Sequence, residues 1–293
     1  MGFSVFEDLQ RKFPDRFLNA GATEQSSVGV AAGLALEGFK VFFYAQAPFA
    51  TMRCFEQIRL DICYNNLDVK IIGVAAGYYS NQLGVSHFAT EDIALMRILP
   101  NMTVIVPGDP LEASYATDAL YNKKGPGYLR LTKSGSARVH NSKKKINIKK
   151  AIPVTSGQDL LILASGSLLP QAVEVSAKLH AKNIKAGVVS YPTVKPLDVS
   201  FLTRKSKETA LFVTMEEHFL AGGFGSAVSE EVTDKNLPVR LLRLGVNDAF
   251  TGITGEHDYL LEKNNLSSEK MFKSILEYIS FNKLKFNKLK EKR

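Results

Sequence analysis

A chain of 293 residues is long enough for two ordinary domains, each with its own core. Its 45% hydrophobic and 23% charged residues exclude a disordered or fibrous class. The net charge of +8 falls in residues 143–293, much of it in the stretch from Lys143 to Lys150 and in the tail from Lys283 to Arg293. Neither run is interleaved with aromatics, so they read as a solvated linker and tail rather than a nucleic-acid surface.

In chain order, an amphipathic helix is expected around Val5–Phe13, followed by a short run from Arg16 to Asn19 that leads into Gly21. A helix then starts near Glu24, with Val28, Ala31, Ala32 and Ala35 behind it and Gly29 and Gly33 four apart. Small residues at this spacing predict close approach of the helix to another backbone. On its own, Glu24 reads as a carboxylate offsetting the positive end of the helix dipole. Lys40–Tyr44 reads as a buried strand, and Thr51–Asn65 as a helix with Met52, Phe55, Ile58, Ile62 and Cys63 near one face. Strand Val69–Val74 precedes a polar loop over 76–89. Next come helix Thr90–Leu99 with Thr90 as its cap, strand Met102–Val106, helix Leu111–Tyr121 and strand Gly127–Leu131.

After a lysine-rich stretch the alternation resumes. Strands are expected at Leu160–Leu163, Ala186–Ser190, Leu211–Met215 and Val239–Leu244, and helices at Leu169–Lys182, near Gly225 and from Ser267 onward. Strands alternating with helices predict an α/β protein of two doubly wound domains with parallel sheets covered on both faces. The division expected is 1–138, a basic linker at 139–155, 156–282, and a basic tail at 283–293. Ligands in such sheets bind where loops leave the carboxyl ends of the strands.

Cys54 and Cys63, the only cysteines, lie nine apart on what reads as one helix. They point to opposite faces, so no internal disulfide is expected. No His/Cys cluster has metal-site spacing. No signal peptide or membrane-spanning run is visible, and the expected location is cytoplasmic. Gly222-Gly-Phe-Gly225 before a helix reads as a tight turn, and Glu216, Glu217 and His218 as packing or interface residues.

Several stretches together resemble transketolase-like thiamine diphosphate enzymes. They are Gly21–Gly38, Arg53-Cys-Phe-Glu-Gln-Ile-Arg59, Leu67–Ile72, Glu91–Arg97, Pro100–Pro110, Lys195-Pro-Leu-Asp198 and Glu216–Val228. The chain is similar over nearly its whole length, in the family's order, to the C-terminal subunit of a split transketolase. The resemblance implies a thiamine diphosphate pyrimidine-binding fold followed by a transketolase C-terminal-like domain. It implies Glu24 as the cofactor-activating glutamate, sharing a proton with a pyrimidine nitrogen. Phe49 is implied as the ring that stacks on the pyrimidine, and Arg53 as a further cofactor-binding residue. His87, in Gly84-Val-Ser-His87, is implied as a catalytic contact to the sugar near the reacting carbons. Arg130 is implied as the grip on a substrate phosphate.

The departures from the family pattern are equally specific. Relatives carry a further helix and strand before the equivalent of Gly2–Asp8, which leads us to expect an unpaired strand edge. Gln46 replaces an aromatic, Ala75 a phosphate-binding histidine, and Leu83 an aspartate that holds a sugar hydroxyl. The Gly-Asp-Gly segment and downstream Asn that hold diphosphate and Mg²⁺ have no counterpart. The resemblance therefore implies an N-terminal transketolase partner carrying the diphosphate and Mg²⁺ site, in an α₂β₂ assembly that transfers a two-carbon ketol unit between sugars. Two other readings stay open: a component of a pyruvate-using thiamine diphosphate synthase or dehydrogenase, and a non-catalytic stabilising subunit.

Overall fold

The computed structural model describes residues 5–133, 136–141 and 145–284. Helix α1 (Glu7–Lys12) leads to α2 (Glu24–Leu36), strand β1 (Val41–Gln46), α3 (Ala47–Thr51) and α4 (Phe55–Gln57). Then follow β2 (Val69–Val74), α5 (Asp92–Ile98), β3 (Thr103–Ile105), α6 (Pro110–Tyr121) and β4 (Gly127–Arg130). The second half runs β5 (Ile152–Thr155), β6 (Leu160–Ser165), α7 (Leu169–His180), β7 (Ala186–Ser190), β8 (Thr193–Lys195) and α8 (Val199–Lys205). It closes with β9 (Leu211–Phe219), α9 (Phe224–Asp234), β10 (Arg240–Val246), α10 (His257–Lys263) and α11 (Ser268–Phe281).

Two five-stranded sheets result, ordered β1-β2-β4-β3-β8 and β10-β9-β6-β7-β5. All internal pairings are parallel; β8 and β5, each at an edge, pair antiparallel. This is the expected α/β class, with one unforeseen joint. Strand β8 belongs by sequence to the second half but completes the first sheet, with Val104 opposite Lys195 and Ile105 opposite Thr193. Three residues are too short a run to show a period, so its sequence carries no strand signal. Strand β5 falls within the stretch read as linker, where Ile148 and His140 are also buried. Residues 142–144 of that stretch, and the tail from 285 onward, lie outside the described residues.

Strand β2 is buried at all six positions between two neighbours; its Val and Ile residues fit this, and the one charge, Lys70, is paired with Asp68. Strand β1 is not the buried strand its apolar run predicts. It pairs only with β2, from Val41 opposite Val69 to Gln46 opposite Val74, and Phe42 is exposed. Its other edge is unpaired within the described chain, as expected.

The N-terminal helix is shorter than its pattern suggests and buries nothing; Val5, Leu9 and Phe13 are all exposed. Only Phe6 finds an apolar partner across the fold, edge-on to Tyr44 at 4.6 Å. Helix α2 presses Val28, Ala31 and Ala32 into the first core. Its glycine stripe does not meet another backbone: a Cβ at Gly29 or Gly33 would touch nothing. Thr90 is not a helix cap either. Its N–H and hydroxyl both donate to Glu91 Oε2, at 2.8 and 3.0 Å, and the helix begins at Asp92. The expected long helix over 51–65 is broken around residues 52–54 and becomes a π-helix over Ile58–Tyr64. Cys54 and Cys63 are both buried free thiols.

Candidate active site

The carboxyl ends of β1 and β2 open onto three segments that carry chemistry. The first is the start of α2. Glu24 is its first helical residue, and Oε2 accepts a 2.6 Å bond from Arg53 Nη1. The Glu24 side chain is 14% exposed and Arg53 46%, so the pair sits at the rim of the fold. Oε1 has no protein partner among the described residues.

The second segment is the turn from β1 into α3 and α4. Its chain reverses at Gln46, and Pro48 in the first turn of α3 is pre-set for the helix. Phe49 is half-buried, and the Arg53 guanidinium lies over its ring at 4.3 Å. The third is the loop over 76–89, closed at its base by paired backbone bonds between Gly77 and Ala89. It presents His87 edge-on to Phe49, with ring centroids 5.0 Å apart, and Ser86 Oγ lies 3.0 Å from His87 Nδ1. Glu24, Arg53, Phe49 and His87 thus form one continuous chain of contacts built from three separate stretches.

Arg130 is not part of it. Of its expected role as a phosphate grip only Nη1 is left: the residue is 3% exposed, Nε and Nη2 are engaged inside the protein, and Nη1 has no hydrogen-bond partner among the described residues. Nε donates to Asp92 Oδ2 at 2.8 Å, and Nη2 to the carbonyls of Ala89 and Glu217 at 2.8 and 3.0 Å. Tyr128 adds its hydroxyl to the same Asp92 oxygen at 2.5 Å. Burial opposes the Arg130 charge, but Asp92 and Tyr128 hold its pKa above the ordinary value. The group ties β4, α5 and the second domain together.

Glu216, Glu217 and His218 are buried, in line with a packing role. Glu216 accepts from the N–H groups of Phe224 and Gly225 at 2.6 and 2.7 Å; burial pushes its pKa up to about 7 against those donors. His218 Nδ1 donates to the Phe219 carbonyl and Nε2 accepts from Ala94 N–H, which fixes a neutral ring; burial brings its pKa down to about 4. Glu217 faces the loop over 76–89 and gathers Tyr78, Ser167 and His257. Sequence reading missed Asp92 and His257 altogether, because their partners lie 38 and 40 residues away.

Among the described residues one cluster, Asp109, Glu112 and His140, has metal-ligand spacing. Its oxygens are already engaged. Asp109 accepts from the N–H groups of Glu112, Val139 and His140, and Glu112 from Gly108 N–H and His140 Nε2. It closes the start of α6 against the following loop.

An α/β pyrimidine-binding fold followed by a second α/β domain defines the class, and the comparisons with known proteins agree. The family model for the transketolase pyrimidine-binding domain matches residues 2–137, and that for the transketolase C-terminal domain matches 149–270. A putative transketolase C-terminal section from Methanocaldococcus jannaschii is 38% identical over 269 residues, covering 91% of this chain and 84% of that protein. One subunit of an apulose-4-phosphate transketolase from Actinobacillus succinogenes is 32% identical over 259 residues, covering 88% and 83%. Among solved structures, a split-gene transketolase described as an inactive β4 tetramer superposes with a TM-score of 0.85 at 37% identity, covering 96% of this chain and 89% of that one. The chain belongs to the transketolase family, and it is similar to C-terminal subunits of split transketolases. The family implies thiamine diphosphate as cofactor. No described helix is long and apolar enough to cross a membrane.

Proposed function

We infer that the chain supplies the pyrimidine half of a thiamine diphosphate site and transfers a two-carbon ketol unit between sugars together with a diphosphate-binding partner. The observation that carries this is the convergence of Glu24, Arg53, Phe49 and His87 at the strand ends. Their donor set fits the pyrimidine end of the cofactor: one carboxylate with a free oxygen, one flat ring, and a further unpartnered amide oxygen on Gln46 three residues before that ring. When bound, thiamine diphosphate supplies the nucleophilic carbon and electron sink that ketol transfer requires.

The chain's own residues do the rest. Glu24 shares a proton with a ring nitrogen, which a carboxyl can do and a helix-capping amide cannot. Arg53 holds that carboxyl in place through Oε2. Phe49 offers a stacking face, adding roughly 0.5–1.5 kcal/mol beyond the area buried. His87, beside it, can donate to a sugar oxygen or relay a proton.

Nothing among the described residues fits the diphosphate and Mg²⁺ end, since the one metal-spaced cluster is engaged by its own N–H groups. The partner subunit holds that end, in an α₂β₂ assembly; closed two-fold assemblies dominate among oligomers. Calorimetry with thiamine diphosphate and Mg²⁺ tests the split. The chain alone is expected to show no binding, and its mixture with the partner, at α₂β₂ mass by light scattering, tight binding. Tight binding by the chain alone would refute the reading.

The substrate is a sugar other than the ordinary pentose phosphates. Ala75 is a buried methyl in place of the family's phosphate-binding histidine, and Leu83, in place of its aspartate, is exposed on the loop that carries His87. A lost charge-assisted contact costs about 1.5–3 kcal/mol. Turnover of xylulose 5-phosphate with ribose 5-phosphate is therefore expected to be poor in a coupled assay. Efficient turnover of that pair would contradict the altered pocket.

A further inference from the structure

The loop over 76–89 presents His87, yet much of its anchoring comes from the second domain. Tyr78 N–H donates to Glu217 Oε1 at 2.6 Å, and Gly77, at φ +65°, makes the approach possible because a Cβ there would overlap the Glu217 carboxylate. Glu217 Oε2 accepts from Ser167 Oγ at 2.5 Å. Further along, Tyr78 Oη meets Thr251 Oγ1 at 2.8 Å and Gln82 Nε2 donates to Glu256 Oε1 at 3.1 Å.

His257, the first residue of α10, joins Glu217 to the loop from a second direction. Its Nε2 lies 3.0 Å from Glu217 Oε1, and its ring stacks on Tyr79 at 4.0 Å with an interplanar angle of 29°. Since the carboxylate accepts, Nε2 carries a proton, and a charged ring over an aromatic face is held more firmly than a neutral one. The side chain is 18% exposed, so the bond is shielded from solvent without being sealed off.

We propose that His257 is a positioning residue: as an imidazolium it fixes, through Glu217 and Tyr79, the loop that presents His87 to substrate. The catalytic part of this rests on the reading of His87 given above. The charged and titratable groups facing His257 are Glu217 on β9, Asp258 beside it on α10, and Tyr79 on the loop. Burial alone would lower the His257 pKa; the Glu217 charge and hydrogen bond, and then Asp258, bring it above the ordinary value. Burial likewise opposes the Glu217 charge, but His257 and the donors from Ser167 and Tyr78 hold its pKa below the ordinary range. The sign follows from both shifts. The His257 contribution is complete below about pH 6.5 and fades as pH rises through its raised value. The Glu217 contribution is complete above about pH 4.5 and fades as pH falls through its lowered value.

The test uses the full chain and its complex, with His257→Phe to keep the stack and His257→Gln to keep a neutral donor. In the chain, hydrogen exchange of the 77–89 amides should quicken by about 10-fold or more in both variants, while β6 and β9 amides stay protected. In the complex, with hydroxypyruvate as a phosphate-free ketol donor, kcat should fall about 10- to 100-fold at pH 6. The wild-type and variant pH profiles should meet at alkaline pH, where wild-type His257 has lost its charge. Unchanged loop exchange would overturn the proposal. So would a rate ratio that stays constant with pH, which is what simple misfolding produces. A wild-type complex that transfers no ketol unit to any sugar would instead remove the functional reading, and the exchange data would still decide the clamp.

Discussion

Asp92→Ala is expected to destabilise the chain by about 3–5 kcal/mol, the usual cost of leaving one member of a buried ion pair without its partner. Asp92 is fully buried, and its Oδ2 is the shared acceptor for Arg130 Nε and the Tyr128 hydroxyl. Removing it leaves a guanidinium inside the protein without its paired carboxylate and with two carbonyls as hydrogen-bond acceptors. A loss of this size is a large part of what holds a typical domain together, commonly about 5–15 kcal/mol. Replacing both partners, as Asp92→Leu with Arg130→Met, should cost distinctly less than the single change, because no charge is then stranded. The midpoints of urea unfolding for the three proteins decide it. An Asp92→Ala protein as stable as the wild type, or a double variant no more stable than the single, would contradict the weight given to this buried pair.

The Asp92–Arg130 pair is of a kind that a sequence does not expose, whereas it does expose central strands. Strands Val69–Val74 and Ala186–Ser190 have the bounds that their Val/Ile-rich runs predict, because both are central and buried on two faces. The run at Lys40–Tyr44 looks equally apolar, but burial there depends on a neighbour, and β1 has only one. Composition reports what a strand can tolerate, not whether another strand lies beside it. The same holds for Gly29 and Gly33, which would permit a close contact that the chain itself does not make. Arg130 was legible as a strand-end arginine, whereas its engagement by Asp92 is a contact across 38 residues with no local signature. Strand β8 fails for a related reason, since its three residues borrow their structure from β3 in the other half. The cluster of Glu24, Phe49, Arg53 and His87 was legible only through its family resemblance. Each residue taken alone has an ordinary structural explanation, and the contacts that unite them span segments far apart in the chain.

Glu24→Gln carries the second large effect. The amide keeps the size of the side chain and one acceptor for Arg53 Nη1, which in the wild type donates to Oε2 at 2.6 Å. A carboxylate that merely starts α2 contributes about 0.3–1 kcal/mol through the helix dipole, so its loss would leave turnover intact. A carboxyl that shares a proton with the bound pyrimidine is worth roughly 10²–10⁴-fold in rate, the range for a positioned acid or base. Complex formation should be unaffected in either case, because the change is isosteric and lies at the rim of the fold.

The measurement that bears most directly on the split-site account is therefore hydrogen–deuterium exchange at the thiazolium carbon of thiamine diphosphate bound to the assembled complex. It requires no knowledge of the sugar. Exchange in the Glu24→Gln complex is expected to be slower than in the wild type by about 10²–10⁴-fold. Equal exchange rates in two complexes of equal cofactor occupancy would contradict the account and return Glu24 to the start of a helix.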